Sequence, residues 1–141
     1  MIQAPVSDAG PIISFARAGR LELLNQVLPL LILPEVVFDE LTVKGASRPG
    51  ADAVEQGRTS WIQIRPLTDQ ATLAQAIALA LELGAELLVD ERAGRAEARR
   101  LSVPLLSTLT VLRVACRPLG LIPKVKPVLD HLIQTGGFRL S

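Results

Sequence analysis

Carboxylates stand in this chain at places where a charge is costly. Asp8 follows a short apolar stretch, Ala4 to Ser7, and Asp90 ends another, Glu86 to Val89. Glu40 belongs to a segment, Pro34 to Lys44, that reads as a helix. At about 100° per residue it projects between Val36 and Val37, inside the apolar arc, whereas Glu35 and Asp39 fall outside it. An acid pointing inward needs a partner. Two like charges about 4 Å apart repel by about 4 kcal/mol at an effective dielectric of about 20, so converging acids call for raised pKa values or a bound cation. Oxygen ligands of this kind suit Mg²⁺ or Mn²⁺. Plainer roles account for the same residues: Asp90 as cap of a helix starting at Glu91, Asp8 as a turn residue before Gly10 and Pro11, and Glu40 as an i,i+4 partner of Lys44.

Other side chains extend the list. Arg92, Arg95 and Arg99 recur at three- and four-residue spacing just after Asp90, with Arg100 adjacent. They form either a phosphate-binding face or a solvated face paired with Glu97. Ser7, Ser107 and Thr108 lie near expected strand ends, where a hydroxyl bonds a ligand acid or a phosphate, or simply caps a turn. The chain has one cysteine, Cys116, and one histidine, His131. Neither a disulfide nor a Cys/His zinc site is available, so any metal sits on oxygen, and both residues read as structural.

The elements that must position these groups alternate regularly. Ala4 to Ser7 reads as a strand and Pro11 to Ala18 and Leu21 to Leu28 as helices. Leu30 to Leu33 is a buried strand, Pro34 to Lys44 a helix stopped by Gly45, Ala51 to Gln56 a short helix and Ile62 to Arg65 a strand. Thr68 or Asp69 caps a long helix ending near Leu83, and Glu86 to Val89 is the next strand. A helix over Arg92 to Leu101, a strand over Val103 to Leu106, and helices over Leu109 to Cys116 and Val125 to Thr135 complete the chain. Apolar strands alternating with helices imply a mainly parallel sheet covered on both faces, a three-layer α/β/α sandwich. In such sheets ligands bind beyond the carboxyl ends of the strands, which is where Asp8 and Asp90 fall.

Bulk properties narrow the function further. At 141 residues the chain suits one domain, expected over residues 1–141. No apolar run approaches the roughly 18 residues of a membrane span. The opening MIQAPVSDAG lacks the pattern of a secretory signal, so a cytoplasmic, membrane-free protein is expected. A net charge of +1 excludes a molecule that is basic overall, and 3% aromatic residues exclude the stacking surfaces of RRM or OB modules.

The stretch VSDAGPIISFARAGRLELLNQVLPLLILPEVVFDEL resembles the opening of PIN domains, in particular a compact branch of predicted nucleic-acid-binding proteins related to VapC toxin ribonucleases. The resemblance continues through AIALALELGAELLVDERAGRAEARRLSVPLLSTLTVL and GLIPKVKPVLDHLIQTGGFRLS, leaving only the stretch Thr42 to Thr72 weakly patterned. It implies a metal-dependent ribonuclease that hydrolyses phosphodiesters, with Asp8 as the first-strand acid, Glu40 as the helix acid, and Asp90 with Glu91 as the acidic pair after the LLVDE strand. Asp8 and Asp90 would be metal ligands, and Glu40 a third metal ligand or the base that orients the attacking water. The family usually carries glutamate at the start of the long helix, where this sequence reads TLAQAI with Leu73 and Gln75. Gln75 can bind a metal-bound water or a phosphate oxygen through its amide but adds no negative charge, and Asp69, one turn earlier, is a candidate substitute. The resemblance further implies RNA as substrate, an antitoxin partner and a homodimer.

Three rivals compete with that reading. A receiver-type signalling domain also gathers acids at strand ends, but its acid pair comes near the N-terminus, which is the wrong order here. A catalytically degenerate PIN-fold domain that binds RNA or a protein without cutting is favoured by Leu73 and Gln75. The third is an interaction protein whose apolar surface serves a homodimer.

Overall fold

The computed structural model describes residues 4–44, 50–65 and 72–139, with backbone only at 44 and 72–74. The expected caps Thr68 and Asp69 lie outside the described residues. A five-stranded, all-parallel sheet runs through the middle in the order β3-β2-β1-β4-β5. The strands are β1 (Val6–Ser7), β2 (Leu31–Pro34), β3 (Ile62–Arg65), β4 (Leu87–Leu88) and β5 (Leu105–Leu106). Three of them are only two residues long, shorter than the apolar stretches that predict them. The flanking residues still bond across: Ile32 N–H donates to the Pro5 carbonyl at 2.9 Å and Val89 N–H to the Leu106 carbonyl at 3.2 Å.

Both faces of the sheet are buried, as continuous apolar strands require. Val6, Ile32, Leu87 and Val89 turn towards α5 (Thr72–Leu83) and α6 (Arg92–Arg100). Leu31, Leu33 and Leu88 turn the other way, towards α1 (Ala9–Arg17), α2 (Leu21–Val27), α7 (Thr108–Cys116) and α8 (Val125–Gln134). A short α4 (Ala51–Gly57) precedes β3. Among the described residues no helix is long and apolar enough to cross a membrane.

The strand order has a consequence for function. From β1 the chain steps to β2 and β3 in one direction, whereas from β4 it steps to β5 in the other. Parallel crossovers keep one hand, so the helices leaving β1 and β4, α1 and α6, lie on opposite faces and diverge. A crevice opens above the carboxyl ends of β1 and β4, the switch point at which open α/β sheets bind ligands.

The helix expected over Pro34 to Lys44 is divided. α3 (Glu35–Asp39) gives way to a π-helical turn, Glu40–Lys44, with Glu40 its first residue. Thr42 contributes, since its hydroxyl donates to the Phe38 carbonyl at 2.8 Å, the i−4 bond by which threonine loosens a helical ladder. Wide turns of this kind concentrate at functional sites. α1 starts at Ala9 rather than Pro11, because a proline in the first turn loses no N–H that the helix needs.

α6 ends in a left-handed residue that is not glycine. Ser102 has φ +60°, and the N–H groups of Ser102 and Val103 return to the carbonyls of Arg99 and Ala98 at 3.0 and 2.8 Å. This is a Schellman-type stop, and an L-residue there carries strain of about 1–2 kcal/mol. Ser102→Gly is therefore expected to stabilise the fold by about 0.5–1 kcal/mol, after glycine's larger unfolded-state entropy is deducted. Urea denaturation checks this, and a lowered midpoint would show that the serine side chain contributes more than its backbone costs.

Candidate active site

β1 and β4 pair with Ser7 opposite Leu88, and the Asp8 N–H donates to the Leu88 carbonyl at 3.1 Å. The residues that follow the two strands therefore emerge side by side. Asp8, Asp90 and Glu91 border one cavity of about 260 Å³, and Glu40 comes into it from the start of the π-turn. Pro11 and Ile13 of α1 form its apolar wall.

Each acid has a different setting. Burial pushes the Asp8 carboxyl above its usual range; the adjacent Ala9 N–H opposes this, and the negative charges of Glu91, Glu40 and Asp90 add to it. Asp8 occupies the N-cap position of α1 but makes no capping bond with its side chain. Glu40 is half-buried, and its Oε2 is buried without a hydrogen-bond partner among the described residues. Glu91 is exposed. Lys44, the i,i+4 partner expected for Glu40, has no described side chain.

Asp90 is clamped rather than loose. Its Oδ1 accepts from the Thr108 N–H at 2.9 Å and its Oδ2 from the Thr108 hydroxyl, and Thr108 is itself fully buried. Burial raises the Asp90 pKa, while these two bonds and the charge of Arg95 oppose the rise. The carboxylate thus serves the N-terminus of α7, where the helix dipole favours an anion. It does not cap α6, whose N-cap residue is Glu91 and carries no side-chain capping bond. Ser107 is the N-cap of α7 and accepts from the Thr110 N–H at 3.1 Å.

Two candidate residues stand apart from this chemistry. Ser7 is fully buried and its hydroxyl donates to the Asp8 carbonyl at 2.8 Å, so it fixes the backbone of Asp8 instead of meeting a phosphate. Gln75 is buried in α5 and is not among the residues bordering the cavity. Leu73 lies in the first turn of α5, without a described side chain, and Asp69 is outside the described residues. His131 accepts from Arg20 Nε at 3.1 Å, a tie between α8 and the start of α2. Cys116 packs half-buried against the core.

The arginines of α6 divide. Arg100 is taken by Glu97, with bonds of 3.0 and 2.6 Å. Arg95 donates to the Val89 carbonyl at 3.0 Å and, with Arg99, borders a second hollow next to Asp90. Arg92 borders a third. Arg139 reaches both of these hollows, a placement that no periodicity announces; the only sequence signal is the pair Gly136–Gly137 that lets the chain turn back after α8. A larger hollow of about 830 Å³ lies against the edge strand β3, but its acids, Glu35 and Asp39, are exposed on α3 rather than buried together.

Comparison with known proteins places this geometry. The model of a PIN domain family matches residues 4–141. The chain belongs to the PIN domain family. A PilT N-terminus domain protein from the hyperthermophilic archaeon Sulfolobus solfataricus P2 has a similar fold, with a TM-score of 0.59 at 14% identity over 80% of this chain and 93% of that one. A domain of a functionally unknown protein from Methanocaldococcus jannaschii DSM 2661 aligns with a TM-score of 0.48 at 14% identity, over 74% and 91% of the two chains. No curated protein sequence matches. The PIN domain is a nuclease-type fold whose members generally use divalent metals, which makes the fit of this cavity to a cation the chemical question.

The donor set fits a hydrated ion better than a caged one. Among the described residues no three His, Cys, Asp or Glu side chains form a group that could by itself hold a metal. Mg²⁺, however, usually keeps several waters and takes one or two carboxylates, and the orphaned Glu40 oxygen and the crowded Asp8 are acceptors of the kind such waters bond.

The raised acids set the pH dependence. A carboxyl whose folded pKa lies above its unfolded 3.8 adds stability that is fully present below 3.8 and is lost as pH rises through the folded value. Asp8→Asn is therefore expected to stabilise the metal-free protein at pH 7 by about 1 kcal/mol, as substitutions at strained functional sites often do, and by less at pH 5. Denaturation at both values tests it; an equal gain at both would exclude charge crowding as the cause. Thr108→Val removes a bond to a charged group and is expected to cost about 2 kcal/mol at pH 7. That cost should shrink on acidification as Asp90 gains its proton, and a pH-independent loss would assign it to packing alone.

Proposed function

We propose that this PIN domain is a metal-dependent ribonuclease that hydrolyses RNA phosphodiesters. The observation that carries the reading is the meeting of Asp8, Glu40, Asp90 and Glu91 around one cavity at the switch point of the sheet, with a Glu40 oxygen buried and unpartnered among the described residues. Asp8, Glu40 and Asp90 would hold a hydrated Mg²⁺ or Mn²⁺, in part through its waters, and the ion when bound supplies Lewis-acid polarisation of the phosphodiester and a more acidic water.

The chain's own residues provide the rest. Glu40 orients the attacking water and accepts its proton; as the water oxygen adds to phosphorus, the ester P–O bond on the opposite side breaks and the departing oxygen takes a proton from solvent. Thr108 holds the Asp90 carboxylate in one orientation, and Glu91 adds negative charge at the rim. Arg92 and Arg95, beside Asp90, would take substrate phosphates, with Ser107 lining the same hollow as Arg95. By resemblance to the VapC ribonucleases, the protein would act in the cytoplasm as the toxin of a toxin–antitoxin pair, with a cognate antitoxin as partner and a homodimer as its assembly.

A second reading, a PIN domain that binds RNA or a protein without cutting it, is favoured by the uncharged Gln75 at a position where the family has glutamate and by the absence of a three-acid metal group among the described residues. The two separate in one assay. A labelled single-stranded RNA incubated with the purified chain should be cleaved in Mn²⁺ or Mg²⁺, stay intact in EDTA, and be cleaved at least about 100-fold more slowly by Asp8→Asn. Cleavage that survives EDTA or the substitution would remove the metal mechanism. RNA binding of equal strength by both proteins, with no cleavage by either, would establish the binding module instead.

A further inference from the structure

Three hollows meet at Asp90, and their charge changes from one end to the other. The first, with Asp8, Glu40 and Glu91, has no cationic side chain on its wall among the described residues. The second, about 310 Å³, shares Gly10, Asp90 and Glu91 with the first and adds Arg92 and Arg139. The third, about 250 Å³, keeps Asp90 and Arg139 and adds Arg95 and Arg99. A trench therefore runs from an acidic pole to a basic one, with the segment Gly137–Arg139 as the ridge between its last two parts.

That ridge is held in place by backbone. A Cβ at Gly136 would collide with the Ser14 carbonyl of α1 and come within 2.7 Å of the Leu132 carbonyl, so the chain lies flush on α1 there. Gly137 follows with φ +74°, a turn that L-residues resist, and Phe138 is buried in the core cluster. Arg139 is thereby carried to the trench on a fixed stem, with its side chain exposed.

Among the described residues, three of the four arginines facing the trench have their guanidinium groups free for a ligand, and the fourth, Arg95, bonds the Val89 carbonyl. Arg100, Arg58 and Lys126 pair with Glu97, Glu55 and Asp130, all away from the trench. Arg92, Arg99 and Arg139 have neither an ion pair nor a hydrogen bond among the described residues. On α6 the spacing of 92, 95 and 99 puts three guanidinium groups on one face. Four arginines gathered around the two hollows, against Asp90 and Glu91 alone as acids there among the described residues, match a ligand whose negative charges repeat along its length.

We propose that Arg99 and Arg139, supported by Arg92 and Arg95, form a phosphate subsite for the single strand on one side of the acidic pocket, so that the C-terminal segment is part of the nucleic-acid interface. This rests on the nuclease-type reading for the position of the strand but not on cleavage. The subsite holds backbone phosphates and is indifferent to base identity, because it offers charge without base-reading groups.

The test is binding of a fluorescein-labelled single-stranded RNA of mixed sequence to the full chain, in EDTA, by anisotropy across a salt series. Arg99→Ala and Arg139→Ala are each expected to weaken binding about 5-fold and to reduce the log–log salt slope by about 0.7, the value for one phosphate contact on a single strand. Arg100→Ala, on the same helix but paired with Glu97, should change neither. Gly136→Ala, which must lift the ridge from α1, should reproduce the Arg139→Ala loss, and thermal denaturation of each variant identifies any that fails to fold. Unchanged slopes in Arg99→Ala and Arg139→Ala, equal losses in Arg100→Ala, or no binding by the unsubstituted chain would each overturn the subsite. Binding that depends on Arg99 and Arg139 in a protein that never cleaves RNA in Mn²⁺ would keep the subsite and discard the nuclease.

Discussion

Crowding like charges in a partly dehydrated place costs free energy, and this molecule meets that cost with the parallel pairing of β1 to β4. Val6 and Ser7, far from Leu87 and Leu88 along the chain, sit against them only through it. Everything near the site follows from that pairing. It sets Asp8 beside the end of β4, brings Asp90 to the N-terminus of α7, and forces α1 and α6 apart because the chain leaves the two strands in opposite directions. The crevice is a product of topology, and the acids are the residues that the crevice receives.

The two strand-end aspartates play unequal parts. Asp90 is a structural anchor as well as a member of the site: both its oxygens are engaged by Thr108, and a helix N-terminus lies behind it. Asp8 has less support and more repulsion, with three acids around it. Glu40 differs again: it opens the π-turn, and one of its oxygens is buried with no hydrogen-bond partner among the described residues. A fixed acid, a crowded acid and an orphaned acid around a single cavity make a place where a hydrated cation relieves electrostatic cost, which is a physical motive for metal binding independent of any resemblance.

The cationic side of the site follows a separate logic. α6 leaves β4 directly after the acids, so its arginines are close to them by connectivity. Their division is then decided by Glu97, which occupies Arg100 and leaves Arg92 and Arg99 unpaired among the described residues, with Arg95 acting on Asp90. Arg95 also secures the Val89 carbonyl at the end of β4, tying the basic wall to the strand that presents Asp90. Charge separation over the short width of the trench gives the molecule a polarity that its net charge of +1 conceals.

Much of the architecture was legible in the residues. Apolar runs such as Leu31–Leu33 and Leu87–Leu88 can be buried on both faces only in a covered parallel sheet, and alternation with helices supplies the cover. The inward phase of Glu40 and the position of Asp8 and Asp90 after strands were also written in spacing, because period and strand ends are local properties. What distance along the chain decides could not be read in this way. That Asp90 bonds Thr108 rather than its own helix, that Ser7 faces its backbone rather than solvent, and that Gln75 stays off the cavity wall all depend on how separate elements pack. The π-turn at Glu40 and the return of Arg139 to Asp90 belong to the same class. The sequence by itself determined which side chains were available and on which elements, since periodicity and turn chemistry act over a few residues; tertiary structure alone decided their partners, since hydrogen bonds and charge interactions act through space between residues far apart in the chain.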